Sequence, residues 1–329
     1  MSQNQKTSQN QTTEVVWRNV VLMLYIHISG LYGVYLIATG RVYLRTIIFH
    51  FITGYLASFG VTAGAHRLWS HRSYKATLPL RILLAILQTM ACQNSIHEWC
   101  RDHRVHHKFT ETNADPHNAL RGFFFSHVGW LLVKKHDDVK NKGKSVSLTD
   151  LEADPVVMFQ QKYFAPLTLF FCFILPWYIP VRLWGEDRWL CWNMVLWRYM
   201  ILLNFTWCVN SVAHLWGDRP YDKNINPAES KLVSVLTGGE GWHNYHHVFP
   251  WDYKAAELPT YGFNWSTGFI DFFAWIGWAY DLKTVSKKRV LQRVNRTGDG
   301  SHLMSKMEAE TEDSTVENKE IDVVYTRAG

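Results

Sequence analysis

The chain has 329 residues, a formal net charge of +6 and a mean hydropathy of −0.15. The negative mean would suit a soluble protein, but it hides long uncharged runs that alternate with very polar blocks. Five cysteines form no close-spaced motif, which argues against a disulfide framework and favours a reducing compartment. The modest positive charge indicates a membrane surface and an anionic substrate, and no nucleic-acid motif accompanies it.

Both ends of the chain are polar. Residues 1–15 are rich in Gln, Asn, Thr and Ser, and they lack the apolar core and cleavage site of a signal peptide. From about residue 301 the chain becomes acidic and rich in Ser and Thr. We therefore expect a disordered head over 1–15, a folded domain over 16–300 and a disordered tail over 301–329.

Four apolar stretches are long enough to cross a bilayer, and we predict them as transmembrane helices. Their approximate ranges are 20–39, 46–65, 163–184 and 192–216. The second stretch carries small residues between Gly54 and Gly60, which would allow close helix contact or leave room for a ligand. In the fourth stretch Arg198 falls in the early turns, where its side chain could reach the headgroups.

A fifth apolar segment, residues 79–96, is shorter than the four predicted spans and is interrupted by polar residues. Pro79 suits the start of a helix because a proline at the first helical position sacrifices no hydrogen bond. We interpret this segment as a helix that lies in or at the membrane interface.

Eight histidines outside the predicted spans form three groups. Two groups have the spacing i, i+3, i+4, which places three rings on one face of a helix. The third has the spacing i, i+5, which is more than a quarter turn of an α-helix. Either the helix ends between these two residues, or each ring serves a different ion. The groups are His103, His106 and His107; His243, His246 and His247; and His66 and His71.

The predicted spans bring all three groups to one membrane face, because two spans separate the second group from the third and the first group directly follows span two. His214 ends span four on the same side. That face also carries most of the basic residues of the loops, so the positive-inside rule places it in the cytosol. These residues are Lys134, Lys135, Lys140, Lys142, Lys144, Lys283, Lys287, Lys288 and Arg289.

Eight imidazoles are too many for one ion with four to six ligands, so they suggest two neighbouring metals. Imidazole suits iron, zinc, copper and nickel. A zinc hydrolase needs only three protein ligands, whereas a di-iron centre that activates dioxygen would use the larger set. Nearby acids do not repeat with the histidines, and we expect them to orient the rings. They are Glu98, Asp102, Asp115 and Glu240.

With their flanks, the three histidine boxes closely resemble those of membrane acyl-CoA desaturases of the stearoyl-CoA desaturase type, and insect members in particular. The resemblance extends from Val16 to about Gly300. The boxes are His66-Arg-Leu-Trp-Ser-His71, His103-Arg-Val-His-His107 and His243-Asn-Tyr-His-His247, and the flanks include Asp115-Pro-His-Asn118, Arg219-Pro-Tyr-Asp222 and Gly239-Glu-Gly241.

The resemblance implies an all-α integral membrane protein, in which four transmembrane helices carry a helical cytosolic cap over a di-iron site. The cap would comprise residues 66–162 and 217–300. No catalytic residue is implied beyond the metal ligands. The implied ligands are His66, His71, His103, His106, His107, His214, His243, His246 and His247, with Asn210 acting through water. The implied substrate contacts are Asn19, Asn94, Arg101, Asp102, Lys134, Lys135 and Trp207.

The implied activity is insertion of a double bond into a saturated fatty acyl-CoA with dioxygen and two electrons. The chain lacks a GxGxxG motif and the HPGG of a fused haem domain, so the resemblance implies an external cytochrome b5 with its NADH-dependent reductase. It implies a multi-pass protein of the endoplasmic reticulum with both termini in the cytosol. The general look of the chain favours carbon 11, as in pheromone glands, over carbon 9.

Two other functions fit the histidines. The first is a histidine-box fatty acyl hydroxylase or monooxygenase, which would give a hydroxylated product. The CoA-facing flanks speak against it. The second is a membrane metal transporter, but transporters place their ligands inside the spans, and these boxes lie outside the predicted ones.

Overall fold

The computed structural model describes residues 14–257 and 263–305. Within these ranges the protein is mostly helical, and its only strands are β1 (Lys75–Ala76) and β2 (Ala279–Tyr280), which pair antiparallel. Most of the predicted head and tail, residues 1–13 and 306–329, lies outside the described ranges.

The helices follow one another with short connections. They are α1 (Trp17–Ala38), α2 (Leu44–Phe59), α3 (Leu78–Ala91), α4 (Ile96–Phe109), α5 (Trp130–Leu132), α6 (Asp137–Gly143), α7 (Thr149–Glu152), α8 (Pro155–Lys162), α9 (Phe164–Thr168), α10 (Leu175–Trp184), α11 (Arg188–Asn210), α12 (Val212–Leu215), α13 (Lys231–Thr237), α14 (His243–Val248), α15 (Trp265–Trp275) and α16 (Lys287–Thr297). The helical structure also includes three π-helical segments, Gly60–Ser70, Phe125–Gly129 and Leu169–Ile174, and one 3₁₀ turn, Ala119–Arg121.

Three helical stretches are long and apolar enough to cross a membrane by length and composition, namely Trp17–Ala38, Leu44–Ser70 and Phe164–Trp184. Their lipid-side residues are exposed, as Val21, Phe51 and Leu183 show. This agrees with three of the four predicted spans.

The fourth predicted span corresponds to α11, which has 23 residues and ends at Asn210, before the predicted end at 216. Ser211 leaves the helical path, and the short α12 then carries His214 in a new direction. Helix α11 packs along α1 and is buried on several sides. Its composition is less apolar than that of the other three, and its polar residues Asn193 and Arg198 are buried. Its role as a fourth span remains a prediction.

Arg198 contradicts one expectation, because its side chain does not reach the headgroups. It is only 2% exposed at the middle of α11. One guanidinium nitrogen donates a hydrogen bond of 2.6 Å to the carbonyl of Cys172, and another donates to that of Met90 at 3.4 Å. Neighbouring helices therefore supply the polar partners that the headgroups were expected to provide.

Helix α3 occupies the predicted interfacial segment, and one face of it packs against α2 and the following π-helical segment. The close approach depends on Gly60, where a Cβ atom would lie 2.0 Å from the backbone nitrogen of Gln88. The small residues of this stretch thus serve helix contact here. The other face of α3 exposes Leu78 and Ile82.

The ordered part of the chain extends beyond the predicted range at both ends. Val15 forms an antiparallel bridge with Val133, and the backbone nitrogen of Lys134 donates to the carbonyl of Glu14 at 2.9 Å. At the other end His302 is buried and bonds to the Glu257 carboxylate at 2.9 Å. These long-range contacts explain why residues 14–15 and 301–302 are ordered where composition predicted disorder.

Candidate metal centre

The first histidine box lies at the end of the π-helical segment Gly60–Ser70. The backbone nitrogen of His71 donates to the carbonyl of His66 at 3.1 Å, the i to i+5 bond of a π-helix. This wider turn places His66 and His71 on one side, with ring centroids 4.9 Å apart. The helix ends at Ser70, between the two residues, as one expectation had it. The other expectation, a separate ion for each ring, disagrees with the geometry because both rings join one group.

The second box lies on α4, whose start is fixed by Ser95. The Ser95 hydroxyl accepts a hydrogen bond from the backbone nitrogen of Glu98 at 3.2 Å, a helix cap. Two turns later the helix presents His103, His106 and His107 inward. The third box forms α14, a helix of six residues.

The nine predicted ligand histidines converge in two groups. In each group, the ring nitrogens that could bind a metal all lie within 4.8 Å of one another. Group one contains His66, His71, His103, His107 and His246. Group two contains His106, His214, His243 and His247. Box two and box three each supply rings to both groups, because neighbouring residues on a helix point about 100° apart.

Distances between rings suit shared cations. The Nε2 atoms of His66 and His246 lie 3.0 Å apart, as do those of His214 and His243, and those of His71 and His103 lie 2.8 Å apart. Two nitrogens at right angles around one ion, each at about 2.1 Å, would lie about 3.0 Å apart. The donor set therefore fits two metal ions held mainly by nitrogen.

Burial favours the neutral form of seven of the nine histidines, and this is the form that metal binding requires. It lowers the pKa of His71 well below the ordinary value, and neighbouring His107 and His66 lower it further. Burial and adjacent rings act in the same way on the pKa values of His103, His107, His214, His243, His246 and His247.

Three carboxylates, those of Glu240, Asp115 and Glu111, lie beside the Nδ1 atoms of ligand histidines. Glu240 lies 2.7 Å from Nδ1 of His66, and Asp115 lies 2.9 Å from Nδ1 of His106. A proton assigned to Nδ1 in these bonds leaves Nε2 free to bind metal. Sequence reasoning identified both acids as orienting groups. It assigned Glu98 and Asp102 the same role. Glu98 instead pairs with the Ser95 cap, and Asp102 pairs with Lys135 and Arg101.

Glu111 is an orienting group that the sequence did not reveal. Its carboxylate lies 3.4 Å from Nδ1 of His214. Glu111 and His214 are 103 residues apart, and no spacing pattern links them. Burial raises the pKa of Glu111 to about 7, and its hydrogen bond to Asn226 opposes that rise.

Arg67 is a second residue that the sequence did not single out. It is 1% exposed and donates to Glu240 at 2.7 Å, to the carbonyl of Tyr253 at 3.0 Å and to the hydroxyl of Thr267 at 2.9 Å. Burial opposes ionisation of Glu240, but Arg67 and His66 outweigh it and hold the pKa of Glu240 at about 2. A signal was available, since Arg67 directly follows His66 in the first box.

Other histidines have supporting roles. His117 is buried and shares Asp115 with His106, at 3.2 Å. His27, in α1, lies 3.2 Å from the side-chain nitrogen of Asn204 in α11 and so forms a hydrogen bond between helices. The buried His50 contacts the thiol of Cys191 at 3.9 Å and the ring of Phe49, and its Nδ1 has no hydrogen-bond partner among the described residues.

Asn210, the predicted water-mediated ligand, is the last residue of α11 and lies four residues before His214. It is half-buried. Its role as a water-mediated ligand stays a prediction.

A cavity of about 540 Å³ reaches Asp115, the partner of His106, and it is lined by both cationic and acidic side chains. Its wall includes two predicted substrate residues, Lys134 and Lys135, and adds Arg121 and Lys140. Lys135 forms a short ion pair with Asp102, whose other oxygen accepts from Arg101 at 3.0 Å. Four of the predicted substrate residues are thus near one another.

The other three predicted substrate residues do not line this cavity. The side chain of Asn19 donates to the carbonyl of Leu131 at 2.8 Å. Asn94 is exposed and has a left-handed backbone with φ of 67°. Trp207 is buried against His127, with ring centroids 5.6 Å apart.

Comparisons with known proteins agree with this geometry. Residues 41–263 match the family description "fatty acid desaturase". The chain is 60% identical over 290 residues to the acyl-CoA Delta-9 desaturase of Acheta domesticus, which covers 88% of this chain and 80% of the relative. It is 54% identical over 298 residues to the acyl-CoA Delta(11) desaturase of Spodoptera littoralis, with 91% and 88% covered. It is 54% identical over 291 residues to the acyl-CoA Delta12-desaturase of Acheta domesticus, with 88% and 81% covered.

Proposed function

We propose, on the premise that this chain belongs to the fatty acid desaturase family, that its nine clustered histidines hold two iron ions. The chain is an acyl-CoA desaturase and therefore an oxidoreductase. The observation that carries the iron proposal is the division of the nine rings into two adjacent groups of nitrogen donors. Iron in such a set is suited to oxygen chemistry, and zinc would need fewer ligands.

The irons, when bound, supply the activation of dioxygen. The stoichiometry of the reaction fixes how many electrons and protons must be delivered. One –CH₂–CH₂– unit becomes –CH=CH– and gives up two electrons and two protons. An external donor adds two electrons, and two further protons come from solvent. These four electrons and four protons reduce one dioxygen to two waters.

The protein's own residues position the reactants. Glu240, Asp115 and Glu111 fix the orientation of three rings, so the groups are assembled before substrate arrives. Lys134 and Lys135 face the 540 Å³ cavity, where their charges can meet the phosphates of CoA. We assign Arg101 and Asp102 to the same end of the substrate, since their ion pairs place Lys135.

The acyl chain would lie among α1, α2 and α11, toward the membrane. Asn19, Asn94 and Trp207 are proposed to border this path, away from the CoA cavity. The distance from the CoA anchor to the irons, counted in methylenes, would determine where the double bond forms.

We further propose that a cytochrome b5, reduced by its NADH-dependent reductase, supplies the two electrons. The chain would lie in the endoplasmic reticulum membrane with four spans and both termini in the cytosol. Its apolar helices support a membrane location.

For the position of the double bond we propose carbon 9, with carbon 11 as the second candidate. A relative with 60% identity is named a Delta-9 desaturase, while the Delta(11) relative reported above has 54%. The general look of the chain, which favours carbon 11, keeps that position as the alternative.

Expression in a desaturase-deficient yeast tests this function. We expect unsaturated fatty acids to appear, with the double bond located by mass spectrometry at carbon 9. A bond at carbon 11 would replace the first position with the second. A hydroxylated product would favour the monooxygenase alternative. Iron-loaded protein that leaves the fatty acids saturated would contradict the proposal.

A further inference from the structure

A ribbon of exposed basic side chains lies just beyond group one. Arg72 directly follows His71, and Lys108 directly follows His107. Both side chains are exposed. Because consecutive Cα atoms are only about 3.8 Å apart, the backbone of each charged residue lies close to that of a histidine of group one.

Contacts join these residues into one surface. The Lys283 ammonium donates to the carbonyl of Arg72 at 2.8 Å, and Arg72 lies 3.9 Å from Asp150. Arg104 binds both oxygens of Asp150, at 2.8 and 2.6 Å, and donates to the Ser147 carbonyl at 2.7 Å.

The ribbon continues past Ser145, whose carbonyl accepts from Lys108 at 3.1 Å. The ammonium groups of Lys108 and Lys142 each lie 5.5 Å from the centroid of the Phe109 ring. We call the exposed cations Arg72, Lys108, Lys142 and Lys283 the basic ribbon.

Among the described residues, the acidic groups beside the ribbon, Asp150 and Asp281, are fewer than its four exposed cations, and each also pairs with another cation. Asp150 is already bound at both oxygens by Arg104, and Asp281 pairs with Lys75 at 2.9 Å. The ribbon also lies where two helices end, the π-helical segment at Ser70 and α4 at Phe109. Cations are favourable there because the helix dipole is negative at a C-terminus.

The ribbon points away from the membrane. The π-helical segment and α4 run parallel, since the Cys100 thiol contacts the Ala65 carbonyl at 3.2 Å and Arg104 donates to that of Trp69 at 2.6 Å. Helix α2 and this segment together form the second apolar span, so its C-terminal end leaves the bilayer. The parallel α4 ends on the same side. A lipid headgroup is therefore a poor partner, and a soluble protein domain is a good one.

We propose that the basic ribbon is the docking surface for the acidic face of the protein that supplies the electrons. The inference rests on the proposed function. The ribbon brings the partner next to His71 and His107, whose rings belong to group one. Two electrons enter there, one at a time, and the partner is oxidised once for each. Charge complementarity would speed the encounter and fix its orientation.

Two charge reversals test the proposal in the full-length, iron-loaded protein. One variant carries Arg72→Glu and Lys283→Glu, and the other carries Lys108→Glu and Lys142→Glu. The control carries Lys223→Glu and Lys231→Glu, the same change of charge at exposed lysines outside the ribbon. Each protein is placed in nanodiscs of neutral lipid and, in a parallel set, of anionic lipid. Both sets are assayed with a soluble, reduced haem domain of cytochrome b5 as the probe.

We expect each ribbon variant to raise the KM for the reduced haem domain by about fivefold or more at low ionic strength, and the control to change it less than twofold. The difference should shrink at high salt, because salt screens exposed charges. For a single turnover, each protein is first reduced without oxygen by a stoichiometric amount of dithionite and is then mixed with acyl-CoA and dioxygen. The product yield should be the same in all variants, since dithionite needs no docking surface.

Three results would overturn the docking surface. If the ribbon variants have the same KM for the reduced haem domain as the control, the ribbon is not the docking surface. An equal loss in the dithionite turnover would show a structural effect. An effect that appears only in anionic nanodiscs would assign the ribbon to lipid headgroups. Failure of the proposed function looks different, because the unmodified protein would then form no product even with dithionite.

Discussion

The rings of His107 and His247 stack with their centroids 4.2 Å apart and their planes 15° from parallel, although the two residues belong to different groups. His107 comes from α4 and His247 from α14. The two groups are therefore in direct contact through this pair of stacked rings. Two ions held by these groups would therefore be neighbours, and the position of each helix would affect both.

Glu240 is expected to matter for folding as well as for His66. Glu240→Ala would leave the Arg67 guanidinium, 1% exposed, without its carboxylate, and an unpaired buried charge costs about 3–5 kcal/mol. We expect a clear loss in Tm. Arg67→Met combined with Glu240→Gln should recover much of it, because no unpaired charge remains. An unchanged Tm for Glu240→Ala would contradict the ion pair's role.

Lys135 and Lys134 are expected to differ in their effect on substrate binding. Lys135 is more buried and holds Asp102, whereas Lys134 is largely exposed and pairs with exposed Glu14. Exposed pairs contribute little. Lys135→Ala should therefore raise the KM for acyl-CoA more than Lys134→Ala, and both should exceed the control Lys162→Ala. Equal KM values for all three variants would show that the cavity does not bind CoA.

Gly60 should not tolerate a side chain. A Cβ atom there would lie 2.0 Å from the backbone nitrogen of Gln88, so α3 must move. At Gly54 the nearest atom is the flexible Arg198 side chain, at 3.0 Å. We expect Gly60→Ala to lower the free energy of unfolding by about 1–3 kcal/mol or more, and Gly54→Ala to have a smaller effect. Thermal unfolding of both variants checks this, and equal Tm values would count against the close approach.

Glu229 predicts a pH dependence of stability. Burial raises its pKa to about 8, with Glu257 and Asp218 adding to the rise and the Tyr245 backbone bond opposing it. Between these two pKa values the folded protein holds a proton on Glu229, whereas the unfolded chain has released it near the ordinary pKa of about 4.3. The stability that this proton contributes is therefore fully present below about pH 4.3 and is lost as the pH rises toward 8.

Glu229→Gln should remove that dependence. We expect the variant to exceed the unmodified protein in Tm at pH 8, and the gap to narrow toward pH 5. Its amide oxygen can still accept the bond from the Tyr245 nitrogen, which Glu229 accepts at 2.8 Å. A gap that is constant across this range would show that Glu229 titrates normally.

Spacing predicted much of the site, but α-helical geometry set its limit. The i, i+3, i+4 pattern correctly places His103 and His107 on one face of α4. The pattern does not predict that the rings of each box are divided between two groups, because that division depends on how α4 and α14 face each other. The i, i+5 pair was harder to interpret, because a π-helix, which no residue pattern announced, brings His71 beside His66.

Residues fixed by distant partners were beyond the sequence. Arg198 resembles a headgroup-seeking arginine until the carbonyls of Cys172 and Met90 are placed around it. Glu111 joins His214 only through the fold. Val15 is ordered by Val133, which lies 118 positions away. Composition and periodicity report on neighbours in the chain, and these contacts are not between neighbours.

Iron content measured per folded chain is the most direct test of the account. Elemental analysis of the purified protein should give two irons, and His97→Ala, on α4 but outside both groups, should keep both. His243→Ala and His71→Ala should each fall to one or fewer, with loss of desaturated product. A single iron in the unmodified protein, or two irons retained after either of these substitutions, would contradict two neighbouring histidine sites.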